Sequence, residues 1–165
     1  MNEAHFHLLV NHFPITGTML GLLVFAFGLL LKNDTVIKTS LYVIAGAALL
    51  AIPALLSGEG AEELIEELPG ISHDVIHEHE EKGELFVWFS GILAGLSLFG
   101  IWVVSKAQAY KKAILWLTFG FGLATAFLAA QVGNSGGLIR HPEIEAQVSD
   151  LKTEGSASEN EKKSQ

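Results

Sequence analysis

The sequence predicts an all-α membrane protein, with four transmembrane helices in an antiparallel bundle and a short amphipathic outer helix between spans two and three. Three observations predict it. Half of the 165 residues are hydrophobic and the mean hydropathy is +0.40, which is wrong for a water-soluble domain. Only 17% are charged, against about 25% in a typical soluble domain. Those charges avoid four long apolar stretches and crowd into the segments between and after them. A formal net charge of −8 leaves no basic stripe to drive nucleic-acid binding. With no cysteine there is no disulfide framework, thiolate metal site, cysteine nucleophile or c-type haem attachment, so any metal must be held by nitrogen and oxygen.

The first apolar run extends from Pro14 to Leu31, the second from about Val36 to Leu56, the third from Leu85 to Val104 and the fourth from Ala113 to Val132. Each is near the roughly 20 residues that cross about 30 Å of hydrocarbon. Span one is expected to be a permanent helix, because acidic and histidine residues rather than basic ones precede it. Pro14 either begins that helix or kinks it. The short loop after span one carries Lys32 and Lys38, and the loop after span three carries Lys106, Lys111 and Lys112. By the positive-inside rule both face the cytoplasm, as expected for a multi-pass inner (plasma) membrane protein with both termini extracytoplasmic. Tyr42, Trp102, Tyr110 and Trp116 mark the same interface, with Trp88 near the other.

On this topology all seven histidines fall at or beyond the outer face, together with most of the acids. Beyond Lys38 at the edge of span two, the spans hold no Asp, Glu, Lys or Arg. A through-membrane charge relay therefore has no carriers. Gly17 with Gly21, Gly91 with Gly95, and Gly120 with Gly122 read as faces for close helix packing.

The outer segments sort by helical phase. Ser72 is a candidate N-cap after Pro69-Gly70, so one helix is expected to run from there straight into span three. On it Val75, Ile76, His79, Gly83, Phe86 and Ser90 share one arc, whereas His73, His77, Glu80 and Glu84 share a polar one. His79 is thus the polar exception on an apolar face. His73 and His77 are an i, i+4 pair on the solvated side. Residues Gly60 to Leu68 read as the amphipathic outer helix, with Glu62 bordering its apolar stripe. Before span one, His5 and His12 fall along one arc with His7 opposite. After span four, Gly136-Gly137 would reverse the chain and return His141 toward the bundle. Residues 1–145 form the membrane domain, and 146–165, rich in Lys, Glu, Ser and Asn, read as a disordered polar tail.

His12-Phe13-Pro14-Ile15 opens span one, Ser57-Gly58-Glu59-Gly60-Ala61-Glu62 leaves span two, His79-Glu80 precedes span three, and Gly136-Gly137-Leu138-Ile139-Arg140-His141 follows span four. In that order the motifs resemble the bacterial membrane family catalogued as domain of unknown function 2231, over nearly the whole chain to about Ile144. The resemblance implies a four-helix membrane protein and no settled activity. It meets the residue-level reading on His12, Glu62, His79 and His141.

Three imidazoles and a carboxylate at one membrane face would suit zinc, copper or iron. Glu80, Asn134 and Arg140 are the candidates to hydrogen-bond those ligands and orient them. The leading expectation is therefore a transition-metal centre at the extracytoplasmic face, serving metal handling or a redox role. The alternatives are haem b with His12 and His79 as axial ligands in electron transfer, and a non-catalytic accessory membrane subunit. The partners expected are the lipid bilayer and a membrane or periplasmic redox protein. No hydrolase or transferase motif is recognised: the chain has no H-E-x-x-H, no Gly-rich phosphate loop and no G-x-S-x-G.

Overall fold

The computed structural model describes residues 3–65, 73–106 and 108–140. These are almost wholly helical: α1 (Glu3–Val10), α2 (His12–Leu31), α3 (Asp34–Leu49), α4 (Ala51–Ile65), α5 (His73–Lys106) and α6 (Lys111–Arg140), with one 3-10 turn at Gln108–Tyr110. Four helical stretches are long and apolar enough to cross a membrane: His5–Leu31, Asp34–Leu56, His73–Lys106 and Lys111–Ile139. Their outward faces carry large apolar side chains such as Leu30, Leu56, Phe127 and Trp88, all exposed. A lipid solvent makes that exposure favourable where water would not.

Two prolines interrupt the helical hydrogen-bond ladder. A proline in a helix removes its own N–H and crowds the carbonyl four residues earlier. Pro14 acts on Val10, the last residue of α1, and Pro53 acts on Leu49, the last residue of α3. Each pair of helices is therefore separated by a single residue, Asn11 and Leu50, that keeps helical backbone angles. Pro14 is thus the third residue of α2, and the face of His7 continues past it into Thr18 and Gly21.

At the lysine end, α2 stops on Lys32, whose left-handed φ of 51° turns its N–H back onto the Gly28 and Leu29 carbonyls. Asn33 then caps α3, accepting from the Thr35 and Val36 N–H groups at 3.0 and 3.1 Å. Lys111 at the start of α6 donates to Asp34 at the start of α3, 2.6 Å from Oδ2, tying the two lysine-bearing turns together.

Inside, α2 packs on α3 and α6, α5 packs on α3 and α6, and α1 lies on α4. The larger apolar cluster is built from Leu22, Phe25, Ile37, Leu41, Ile44 and Leu93 with their neighbours. A smaller one of Ala51, Phe86 and Ala129 sits nearer the histidine end, with Ile15, Leu128 and Val132 against it. The Gly17-Gly21 face is used as expected: added methyl groups there would come within 2.6 Å of Ala47 Cβ and of Ile44 Cγ1. Gly122 is filled by Leu22 in the same way, at 2.4 Å. The expected Gly91-Gly95 seam is different, because both glycines are exposed and have open space around them.

Two more expectations change. The chain stays helical through Leu56 to Ile65, so the stretch from Gly60 is the end of α4 rather than a separate outer helix as far as it is described. Glycines 136 and 137 do not reverse the chain, because α6 continues through them to Arg140. Glycine permits a reversal without imposing one, and the helix ladder of α6 is uninterrupted there. Ser72, Leu68, His141 and the tail 146–165 lie outside the described residues.

Candidate functional site

The histidine end is organised around two rings held in the same way. His7, half-buried on α1, places Nδ1 3.0 Å from the Ala54 carbonyl and 3.1 Å from Ser57 Oγ on α4. The Ser57 hydroxyl donates to that same carbonyl at 3.0 Å. A carbonyl only accepts, so His7 Nδ1 carries the proton and Nε2 keeps its lone pair. The ring lies over Gly58, whose missing side chain leaves His7 Cε1 3.7 Å from where a Cβ would sit.

His79, half-buried on α5, repeats this arrangement on α6. Its Nδ1 is 2.9 Å from Ser135 Oγ, and the Ser135 hydroxyl donates to the Val132 carbonyl at 3.1 Å. With its proton spent on Val132, the serine oxygen accepts from Nδ1–H, so Nε2 again is the free nitrogen. Gly136 lies under the ring, and a Cβ there would be 3.0 Å from His79 Cε1. Each ring is thus fixed by a serine that bonds the carbonyl three residues before it, and rests on the glycine that follows the serine. The two imidazoles lie near enough to act on one another electrostatically.

Other predicted residues fall elsewhere. His79 sits where its arc placed it, with Val75, Ile76, Phe86 and Ser90 buried along the same face. His73, His77 and Glu80 are exposed, and His77 pairs only loosely with Glu81 at 3.7 Å. His12, expected as a ligand, has an exposed side chain, although it lies within electrostatic reach of His7. Asn134 is exposed one residue before Ser135. Glu62 lies on α4 four residues beyond Gly58, and Arg140 ends α6.

His7 is the residue that sequence reasoning passed over. Counting helical phase put it opposite His12, but the arc of His5 and His12 is the exposed one, and His7 continues the face of the buried Pro14 and Thr18. The signal that identifies His7 is the recurrence of Ser-Gly near the histidine end, at 57–58 and 135–136, each receiving a ring, whereas the third Ser-Gly, at 90–91, lies within span three. Among the described residues no group of three or more His, Asp or Glu side chains converges to hold an ion, so the described donors are the two imidazoles. Compared with family models, with curated proteins and with solved structures, the chain has no match, and the reading of this site rests on its own residues.

Proposed function

We propose that this is a multi-pass protein of the inner membrane, an antiparallel four-helix bundle whose histidine end faces the extracytoplasmic side and binds a transition-metal centre through imidazole. One observation carries the reading: His7 and His79 each have Nδ1 anchored to the main chain or to a serine bonded to it, so both Nε2 atoms are left as ligands. Anchoring of the remote ring nitrogen is how ligating histidines are ordinarily oriented. His7 takes the part that His12 was expected to play. The carboxylate and third imidazole of the expected set, Glu62 and His141, belong to the two chain segments that leave Gly58 and Gly136, and they are the natural further ligands for zinc, copper or iron. Glu80, Asn134 and Arg140 are the polar groups nearest in sequence to hold such ligands in place.

A second reading is favoured by the same pair. Haem b needs only two axial protein ligands, and two anchored imidazoles from different helices supply them. Its chemistry would be one-electron transfer with a membrane or periplasmic redox partner, the bundle's part being to hold both rings and exclude water. An accessory role, with the acidic histidine end meeting a partner protein, is the third reading and needs no metal.

The test is the visible spectrum and metal content of the detergent-purified protein, expressed with adequate iron and haem supply. A Soret band that sharpens its α and β partners on reduction assigns haem. A stoichiometric ion without a Soret band assigns the ion centre. His7→Ala and His79→Ala should each abolish retention, while His77→Ala and His5→Ala should leave it intact. Equal effects of all four, or no metal in the wild type, would leave the accessory reading.

A further inference from the structure

The two ring clasps belong to a larger equivalence. His7 and His79 are 72 positions apart, and Ser57-Gly58 and Ser135-Gly136 are 78 apart. These offsets are set by the clasps alone, yet they align the rest of the bundle. Every buried residue of α2, namely Pro14, Thr18, Gly21, Leu22, Phe25 and Gly28, falls on a buried residue of α5 72 positions later. Among these pairs are Thr18 with Ser90, both 0% exposed and both with hydroxyls that no described group partners, and Gly28 with Gly100. Every buried residue of α6 from Leu115 to Ala129 falls on a buried residue of α3 or α4 78 positions earlier. Ser40 and Thr118 coincide in this way, each bonded back to its own helix, and so do Ala51 and Ala129.

Packing obeys the same exchange. Swapping α2 with α5 and α3 with α6 turns the α2–α3 seam into the α5–α6 seam, and the α3–α5 seam into α6–α2. Both hairpins turn at lysine-bearing loops and both begin on a histidine.

We infer that the chain is two copies of one histidine-bearing helical hairpin related by a pseudo-twofold axis along the bundle, and that its metal lies on that axis, one centre per chain, with His7 and His79 as equivalent ligands. This deepens the metal reading and rests on it. The axis explains why two rings on helices that are remote in sequence come within each other's field. It also places Thr18 and Ser90 at matching depths on the diagonal helices α2 and α5. The shared chemistry is a metal that accepts two imidazole nitrogens, whether a free ion or the iron of a porphyrin.

The experiment titrates the full-length protein in detergent with cupric ion and, separately, with haemin. For copper, pulsed paramagnetic resonance counts coordinated imidazoles. We expect one Cu(II) per chain with both rings coordinated in the wild type. His7→Ala and His79→Ala should each lose one, with affinities lowered by factors that agree within about threefold. With haemin, the wild type should give a low-spin bis-imidazole spectrum, and both variants the same five-coordinate one. Should either alanine variant misfold, His7→Gln and His79→Gln keep the test, since each retains a polar side chain of similar length and should cost one coordinated imidazole. Binding that depends on one histidine only would overturn the equivalence and leave the metal reading standing. A wild type that takes up neither probe would overturn both.

Discussion

Gly136→Ala puts the clasp geometry to its sharpest test. An added Cβ would stand 3.0 Å from His79 Cε1, whereas carbon atoms rest at about 3.5–4.0 Å. The ring must give by a few tenths of an ångström. It is held by a 2.9 Å bond to Ser135 Oγ, and the same retreat takes that bond to the roughly 3.2 Å limit of a good N–H···O contact. Losing the orientation of a ligating histidine costs about 10–100-fold in metal affinity, which is about 1.4–2.7 kcal/mol. The fold itself should not suffer, because alanine is better than glycine inside a helix by about 0.5–1 kcal/mol. Gly58→Ala is the control: its Cβ would meet His7 Cε1 at 3.7 Å, an ordinary contact, so affinity should stay within about threefold. The assay is copper or haemin titration beside thermal unfolding in detergent. Wild-type affinity in Gly136→Ala, or a loss shared equally by Gly58→Ala, would refute the account of how His79 is held.

Four further outcomes are expected. Gly21→Leu, forced against Ile44, should destabilise the bundle by about 1–3 kcal/mol in denaturant titration, while Gly91→Leu, facing open space, should be neutral. Thr18→Val and Ser90→Ala should leave stability unchanged or raise it by up to about 1 kcal/mol each, since no described group bonds either hydroxyl; a loss above that would show that the hydroxyls are satisfied by a bound molecule. A double-mutant cycle on Asp34 and Lys111 should give a coupling of about 0.2–1 kcal/mol that shrinks as salt rises, because the Asp34 side chain is 44% exposed. Single cysteines are informative in a chain that has none: His5→Cys should label from outside the cell and Lys112→Cys only after the membrane is opened, and the reverse would turn the histidine end to the cytoplasm.

Four apolar helices and their ends at the lysine turns were legible from hydropathy because lipid imposes length and apolarity directly on the chain, whereas at the histidine end the first and fourth helices run about two turns past the apolar runs. His79 was legible because α5 is unbroken from His73 to Lys106, so a 100° step per residue holds throughout. His7 was not, because two arcs of the first helix carry histidines and composition alone does not say which of them faces inward; the buried Pro14 and Thr18 show that it is the arc of His7. Pro53 removes a rung in the same way as Pro14, yet Asp34–Leu56 is still one apolar helical stretch, as the second span was expected to be. The glycines show a further limit. Gly17 and Gly91 look alike in a pattern of small residues, and only the partner helix decides which packs. The halves of the chain went unread as copies because their likeness lies in burial and in a few hydroxyl, glycine and histidine positions, not in the apolar residues that make up most of each span.

Pro14 and Pro53 have a consequence for the order in which the site would open. His7 and its Ser57-Gly58 seat stand on α1 and α4, which pack against each other and are each joined to the core helices across a missing rung of the helical ladder. His79 and Ser135 stand on α5 and α6, which contain no proline. Local opening should therefore begin on the His7 side, and the amides of α1 and α4 should exchange with solvent before those around His79 and Ser135.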